Sequence, residues 1–236
     1  MTVQPRCLIV VGVLALQGGF AEHLDLLRRA AQILQLESRF KAIEVRAPDE
    51  LASCNALIIP GGESTSMAFV AQQSGLLEPL RDFVKRQKKP VWGTCAGLIL
   101  LSDQANATKQ GGQQLIGGLG VRVHRNHFGR QIESFQTPLD LPFLSPSPKE
   151  PPEPFSGIFI RAPVVEQVLD PGVVVLAKVP GRVHKARPGV SQATTESDSG
   201  DIVAVRQGNV LGTSFHPELT TDARIHVWWL QEMLHL

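Results

Sequence analysis

No sign of charge dominates this sequence. Its 23 Lys and Arg stand against 22 Asp and Glu, a formal net charge of +1, so the overall balance does not call for nucleic acid or an anionic membrane as partner, and only a local patch is left open. Cysteine is scarce. Cys7, Cys54 and Cys95 are an odd number, widely spaced and without a CxxC pair, which argues against a disulfide framework or a structural zinc site and points to a reducing, cytoplasmic compartment. No apolar run is long enough to cross a bilayer. The first one, Cys7 to Leu16, lacks a clear small-residue cleavage site and reads as a buried strand. The GxxxxGK[ST] phosphate loop, internal repeats and coiled-coil heptads are missing too.

What is present is apolar mass in an alternating order. The chain has 236 residues, 43% hydrophobic and 19% charged, enough to bury a sizeable core and suited to one α/β domain spanning 1–236. The almost continuously apolar run from Cys7 to Leu16 suits a parallel strand covered on both faces, and it ends at Gln17-Gly18-Gly19. Phe20 to Leu36 follows with Leu24, Leu27, Ala31 and Leu34 at helical spacing. A strand over Phe40 to Val45 and another over Ala56 to Ile59 come next, the latter stopping at Pro60-Gly61-Gly62-Glu63-Ser64. Ser64 or Thr65 is the expected cap of a helix running to about Val70, and a helix over Leu76 to Gln87 leads into the strand before Cys95. This βαβ rhythm predicts a parallel, doubly wound sheet with right-handed crossovers, with ligands bound beyond the carboxyl ends of the strands.

After Leu101 the pattern turns β-rich: Leu119 to His124, Gln131 to Gln136, Gly157 to Arg161, Val173 to Val179, Ile202 to Arg206 and Val210 to Ser214. Pro138 to Pro154 is rich in proline and Gly181 to Gly200 is poor in apolar residues, so both are expected as surface insertions. A helix over Thr220 to Leu236 closes the chain, with Ala223, Val227, Leu230 and Leu234 facing inward and at least one of Trp228 and Trp229 packed.

Three stretches carry chemistry. In Val91-Trp92-Gly93-Thr94-Cys95-Ala96-Gly97 an apolar strand meets small residues around a cysteine, the pattern of a strand-to-helix elbow that points a thiol out of the sheet. A helix starting at Ala96 brings unpaired N–H groups and a positive dipole end to the sulfur, an arrangement suited to a thiolate; a buried structural cysteine is the alternative. In Ser214-Phe215-His216-Pro217-Glu218 a histidine and a carboxylate lie two residues apart past a strand end. Residues i and i+2 of an extended segment point the same way, so Glu218 is placed to orient His216 as the base for Cys95; alone, the segment would read as a solvated turn. The glycines of Pro60-Gly61-Gly62-Glu63-Ser64 can aim N–H groups at a reacting carbonyl, making Gly62 and Ala96 the candidate oxyanion donors.

Taken together, LALQGGFAEHL, LIIPGGEST, VWGTCAGLILL, RNHFGRQIESF, FIRAP and TSFHPELT resemble the class I glutamine amidotransferases, and more narrowly the glutaminase subunits of pyridoxal phosphate synthase, the PdxT/SNO family. The motifs keep the family's order from about Val11 to Leu219. The resemblance implies a three-layer, flavodoxin-like α/β domain with a doubly wound, mostly parallel sheet, and hydrolysis of L-glutamine to glutamate and ammonia through a γ-glutamyl thioester. Cys95 would be the nucleophile, His216 the acid and base, and Glu218 its orienter, with glutamine held by Gly62, Glu63, Ser64, Arg125, Ile160 and Arg161. Ammonia would pass to a separate synthase subunit, without metal or cofactor, and Gln17 would couple that partner to the oxyanion loop. An amidotransferase of another pathway, a stand-alone hydrolase or a non-catalytic regulatory module are the alternatives; the QGG and RNxFGRQ segments speak against the first two and the intact Cys95, His216 and Glu218 against the last. The two long polar segments and His127 are departures from a compact member of the family.

Overall fold

A strand that is apolar at every position has two faces to hide, and the chain hides both. The computed structural model describes residues 8–106, 113–125, 134–145, 152–180 and 200–234. In chain order the elements are β1 (Ile9–Leu14), α1 (Phe20–Ile33), β2 (Phe40–Val45), α2 (Pro48–Ala52), β3 (Ala56–Ile59), α3 (Ser64–Gln73), α4 (Leu77–Lys85), β4 (Val91–Thr94), α5 (Ala96–Leu101), β5 (Ser102–Ala105), β6 (Leu119–His124), β7 (Ser134–Leu139), β8 (Phe155–Ile160), β9 (Val164–Val168), β10 (Val174–Val179), β11 (Asp201–Gln207), β12 (Val210–Thr213) and α6 (Arg224–Leu234). Ten strands form one sheet in the order β2-β1-β3-β4-β12-β11-β9-β6-β5, with β10 paired to β11. The half from β2 to β12 is parallel throughout. Around β11 and β9 the pairing is antiparallel, and parallel pairing returns between β5 and β6.

The period of two divides the core. On β3, Leu57 and Ile59 join one hydrophobic cluster and Ala56 and Ile58 the other; on β4, Val91 faces the first and Trp92 the second. The first cluster is closed by Leu51 of α2, Met67 of α3, Leu80 and Phe83 of α4, and the whole of α5. The second is closed by Leu24, Leu27 and Ala30 of α1, by Ile225, Trp229 and Leu230 of α6, and by Phe155 and Phe159 of β8. The result is helices on both faces of the sheet, the expected three layers. Each fully buried large apolar side chain contributes about 1.5–3 kcal/mol by leaving water.

Strands β2, β3 and β6 occupy the expected ranges, and Trp229 is fully buried as anticipated for one of the two adjacent tryptophans. Several details differ from expectation. The cap of α3 is Glu63, whose carboxylate accepts from the N–H groups of Thr65 and Ser66 at 3.1 and 2.7 Å; neither Ser64 nor Thr65 caps it, because the longer acid reaches two orphan donors at once. The predicted surface stretch from Pro138 needs correction at its start. Ser134–Leu139 pairs antiparallel with Phe155–Ile160 as a separate two-stranded sheet, and Leu139 and Leu141 are buried in the second cluster. The short elements α2, β5 and β9 were not anticipated. Residues 181–199, Cys7, His127 and positions 131–133 of the predicted Gln131 to Gln136 strand lie outside the described residues. Among the described residues no helix is long and apolar enough to cross a membrane.

Candidate active site

Register brings the candidate residues together. On the parallel pair β4 and β12, Gly93 is opposite Gly212 and Thr94 opposite Thr213. Cys95 follows β4 by one residue and His216 follows β12 by three, so both emerge at the same sheet edge. On the other side of β4, Gly93 is opposite Ile59, which delivers Pro60-Gly61-Gly62 to that edge as well. One strand further, β1 ends at Leu14 and leads into Gln17.

The cysteine sits on the elbow that its sequence neighbours predict. Cys95 has φ of 48° and ψ of −102°, between β4 and α5. A side chain beyond Cβ is strained at positive φ, at a cost of about 1–3 kcal/mol that the surroundings must supply. They do so through its own N–H, which donates to the Thr213 carbonyl at 2.8 Å, and through Gly97, where an added Cβ would lie 2.0 Å from the Ile59 carbonyl oxygen. The first turn of α5 is thus pressed onto the backbone of β3. Cys95 is 6% exposed, and its Sγ lies 3.9 Å from the carbonyl oxygen of Ile160, at the end of β8.

His216 and Glu218 meet, though not as an extended pair. Pro217–Leu219 is a 3-10 turn, and the turn folds the carboxylate back so that Glu218 Oε1 is 2.7 Å from His216 Nδ1. The His216 N–H donates to the Ile158 carbonyl at 2.8 Å, which ties the turn to β8. Burial opposes charge on His216, but hydrogen bonds to Cys95 and Glu218 together with their negative charge raise its pKa to about 10. Burial likewise opposes charge on Glu218, yet His23 and His216 hold its carboxyl well below the usual carboxylate range. A sulfur and a carboxylate that both act on one imidazole form the constellation needed to activate a thiol nucleophile.

The two glycine turns pack on this constellation. Gly18, with φ of 82°, lies so close to the Gly61 carbonyl that an added Cβ would come within 1.9 Å of its oxygen. Gly61 in turn lies against the His216 ring, and Gly19 against the Cγ of Glu218. The QGG glycines are therefore needed for close approach as well as for a tight turn. Gln17 Oε1 accepts from the Glu63 N–H at 2.9 Å, and Gly62 beside it has φ of 148°.

The remaining predicted binding residues gather around the start of α3. Arg125 donates to Glu63 Oε1 at 3.2 Å and to the Thr65 hydroxyl at 3.0 Å. Partial burial works against charge on Glu63, but hydrogen bonds from Ser66 and Thr65 bring its pKa down to about 2. The buried Ser64 hydroxyl donates to Gln113 Oε1 at 2.9 Å. Ile160 offers its carbonyl to the thiol, and Arg161 follows it, exposed and with φ of 46°. Among the described residues no group of three or more His, Cys, Asp or Glu is arranged to hold a metal ion. Clefts of about 570 and 490 Å³ lie elsewhere, beside α2 and α4 and beside α6, and neither is lined by Cys95, His216 or Glu218.

Three residues escaped sequence reasoning. His23 of α1, His226 of α6 and Gln113 touch the site or its supports. His23 Nε2 is 3.3 Å from Glu218 Oε2, and His23 Nδ1 is 3.0 Å from His226 Nε2. The available signal was His23 lying next to Leu24 on the inward stripe of a helix.

Comparison with known proteins bears on the family of the chain and on its fold. The SNO glutamine amidotransferase family matches residues 13–235. The chain is 47% identical over 230 residues to the probable pyridoxal 5'-phosphate synthase subunit PDX2 of Arabidopsis thaliana, covering 94% of this chain and 85% of that one. It is 40% identical to the pyridoxal 5'-phosphate synthase subunit SNO1 of Saccharomyces cerevisiae, over 99% of this chain and 96% of the relative. A crystal structure of a glutamine amidotransferase superposes with a TM-score of 0.71 at 39% identity, covering 94% of this chain and 97% of the other.

Proposed function

The chain belongs to the SNO glutamine amidotransferase family, and from that premise we propose that it is the glutaminase subunit of a pyridoxal 5'-phosphate synthase, a single-domain cytoplasmic protein that makes ammonia from L-glutamine for a synthase subunit. The observation that carries the reading is the contact of His216 Nδ1 with Glu218 Oε1 at 2.7 Å, at the sheet edge that also bears Cys95.

The chemistry divides into two half-reactions. The thiol proton of Cys95 passes to His216 and Sγ attacks the side-chain carbonyl carbon of glutamine; His216 then gives that proton to the amide nitrogen, the C–N bond breaks and ammonia leaves. The γ-glutamyl thioester that remains is attacked by water, with His216 accepting a water proton and returning it to sulfur as glutamate departs. Glu218 keeps Nδ1 of His216 protonated, so that Nε2 faces the reacting atoms. The N–H groups of Gly62 and Ala96 are the donors for the developing oxyanion, each worth about 2.7–4 kcal/mol in a transition state. Glutamine's α-carboxylate is met by Arg125 or Arg161, and Glu63, Ser64 and the Ile160 carbonyl complete its surroundings. Gln17, which accepts from Glu63, links the first glycine turn to the oxyanion loop and so to the docked partner.

The test is glutamate release from glutamine by the chain with and without its synthase subunit, with Cys95→Ser as control. Release that requires both the synthase and Cys95 is expected. No release in either condition rejects the glutaminase reading, and equal release in both rejects partner dependence.

A further inference from the structure

Glu218 is a buried carboxylate with two oxygens, and the triad accounts for only one of them. Oε1 meets His216; Oε2 is buried and, among the described residues, makes no hydrogen bond of ordinary geometry. A buried anion that faces nothing is costly. What lies beside Oε2 is His23 Nε2, at 3.3 Å, from a side chain with no solvent exposure. Behind His23 stands His226, also fully buried, its Nε2 3.0 Å from His23 Nδ1. The Trp92 ring walls both imidazoles, with centroids 5.8 Å from His23 and 4.9 Å from His226. Thr94 Oγ1 is a further polar neighbour, 3.4 Å from His23 Nε2.

We infer that His23 is a positioning residue for the glutaminase reaction, and that His226 sets its tautomer so that a fixed N–H faces Glu218. The order of protons along this line follows from chemistry. Burial keeps His226 neutral, pushing its pKa well below the usual value, and among the described residues its Nδ1 has no hydrogen-bond partner. With its single proton on Nε2, His226 donates to His23 Nδ1. With Nδ1 of His23 accepting, its N–H lies on Nε2, toward the carboxylate. The opposite tautomer would aim a lone pair at an anion. Glu218 is thereby gripped from both sides, and its Oε1 is held where His216 requires it. The turn at Pro217–Leu219 and α6, neighbours in the chain, are joined through this line to the distant α1, so the orientation of His216 is set by the packing of α1 on α6 as well as by its own loop.

This inference rests on the reading of Cys95, His216 and Glu218 as a catalytic triad. Steady-state glutamate release is measured on the complex with the synthase subunit for the wild type, Cys95→Ser, His23→Leu, His23→Gln and His23→Asn. Gln can place an amide N–H near the position of Nε2, whereas Asn places it near Nδ1. The expected result is a kcat lower by about tenfold or more in His23→Leu with KM little changed, substantial recovery in His23→Gln, and less in His23→Asn. A His23→Leu kcat equal to wild type overturns the inference. So does equal kcat in the Gln and Asn variants, a comparison that stands even if His23→Leu does not assemble. Activity surviving in Cys95→Ser would reject the triad itself, so the two failures are told apart.

Discussion

The backbone N–H of Glu63 donates to the side-chain oxygen of Gln17 at 2.9 Å. The turn that ends β1 therefore holds the turn that ends β3, and the glycines that would receive the oxyanion are positioned from outside their own loop. Gln17→Ala leaves the Glu63 N–H without this acceptor, a loss of about 0.5–1.5 kcal/mol. Synthase-stimulated glutamate release should fall by a few-fold, while thermal stability of the lone chain changes little. Unchanged release in the presence of the synthase removes Gln17 from the mechanism.

Gly18 cannot carry a side chain. Its φ of 82° disfavours any Cβ, and that Cβ would collide with the Gly61 carbonyl. Gly18→Ala should displace the Pro60-Gly61-Gly62 turn and with it the wall of His216, lowering kcat at least as much as Gln17→Ala. A variant with wild-type activity would mean that the contact between the two turns is not required.

Glu218→Gln keeps the shape of the side chain and removes the charge that orients His216. A fall in kcat of about a hundredfold or more is expected, as for the loss of an orienting carboxylate in related triads. A kcat within a factor of two or so of wild type would show that the turn alone aligns His216.

The two perturbed groups also shape stability against pH. Glu218 is depressed from 4.5, so its contribution is complete above 4.5 and is lost as pH falls toward its folded value. His216 is raised from 6.5 to about 10, so its contribution is complete below 6.5 and disappears as pH rises toward 10. Thermal midpoints should therefore be highest between these limits and fall on both sides, and Glu218→Gln should flatten both slopes. Equal pH profiles for wild type and variant would contradict this assignment.

Trp229 and Trp228 are neighbours with different duties. Trp229 is fully buried against Trp92, with ring centroids 5.9 Å apart, while Trp228 packs part-exposed on Phe143. Trp229→Ala should cost about 3–5 kcal/mol in denaturant unfolding. Trp228→Ala should cost clearly less, and the reverse ranking would refute this account of α6.

Much of the fold was legible because parallel strands buried on both faces leave continuous apolar runs. Ala56 to Ile59 and Val91 to Thr94 could be read from a single line of sequence, and the glycine turns marked where they stop. Cys95, His216 and Glu218 were legible for the same reason, since each follows a recognisable strand end. The His23–His226 contact was not. Its members are 203 positions apart, and a histidine on an apolar helix face looks the same whether it fills space or grips a carboxylate. The cap at Glu63 was missed because local preference favours the shorter Ser and Thr, whereas Arg125, distant in sequence, helps hold this acid in place. The strand β9 escaped because Val164–Val168 follows Arg161-Ala162-Pro163 with no turn signal strong enough to separate it from β8.

The in-register pairing of β4 with β12 has one more effect. From Ser102 to Asn209 the polypeptide travels to the far margin of the sheet and returns, yet Thr94 and Thr213 remain side by side. Apart from β8, whose Ile158 and Ile160 carbonyls meet His216 and Cys95, this excursion acts on the reacting groups as a tether between two adjacent posts. Its entropic penalty grows only logarithmically, about 0.6 kcal/mol for each doubling of length. Evolution, or an engineer, can therefore lengthen, shorten or exchange tips along the excursion while sulfur and imidazole keep their separation.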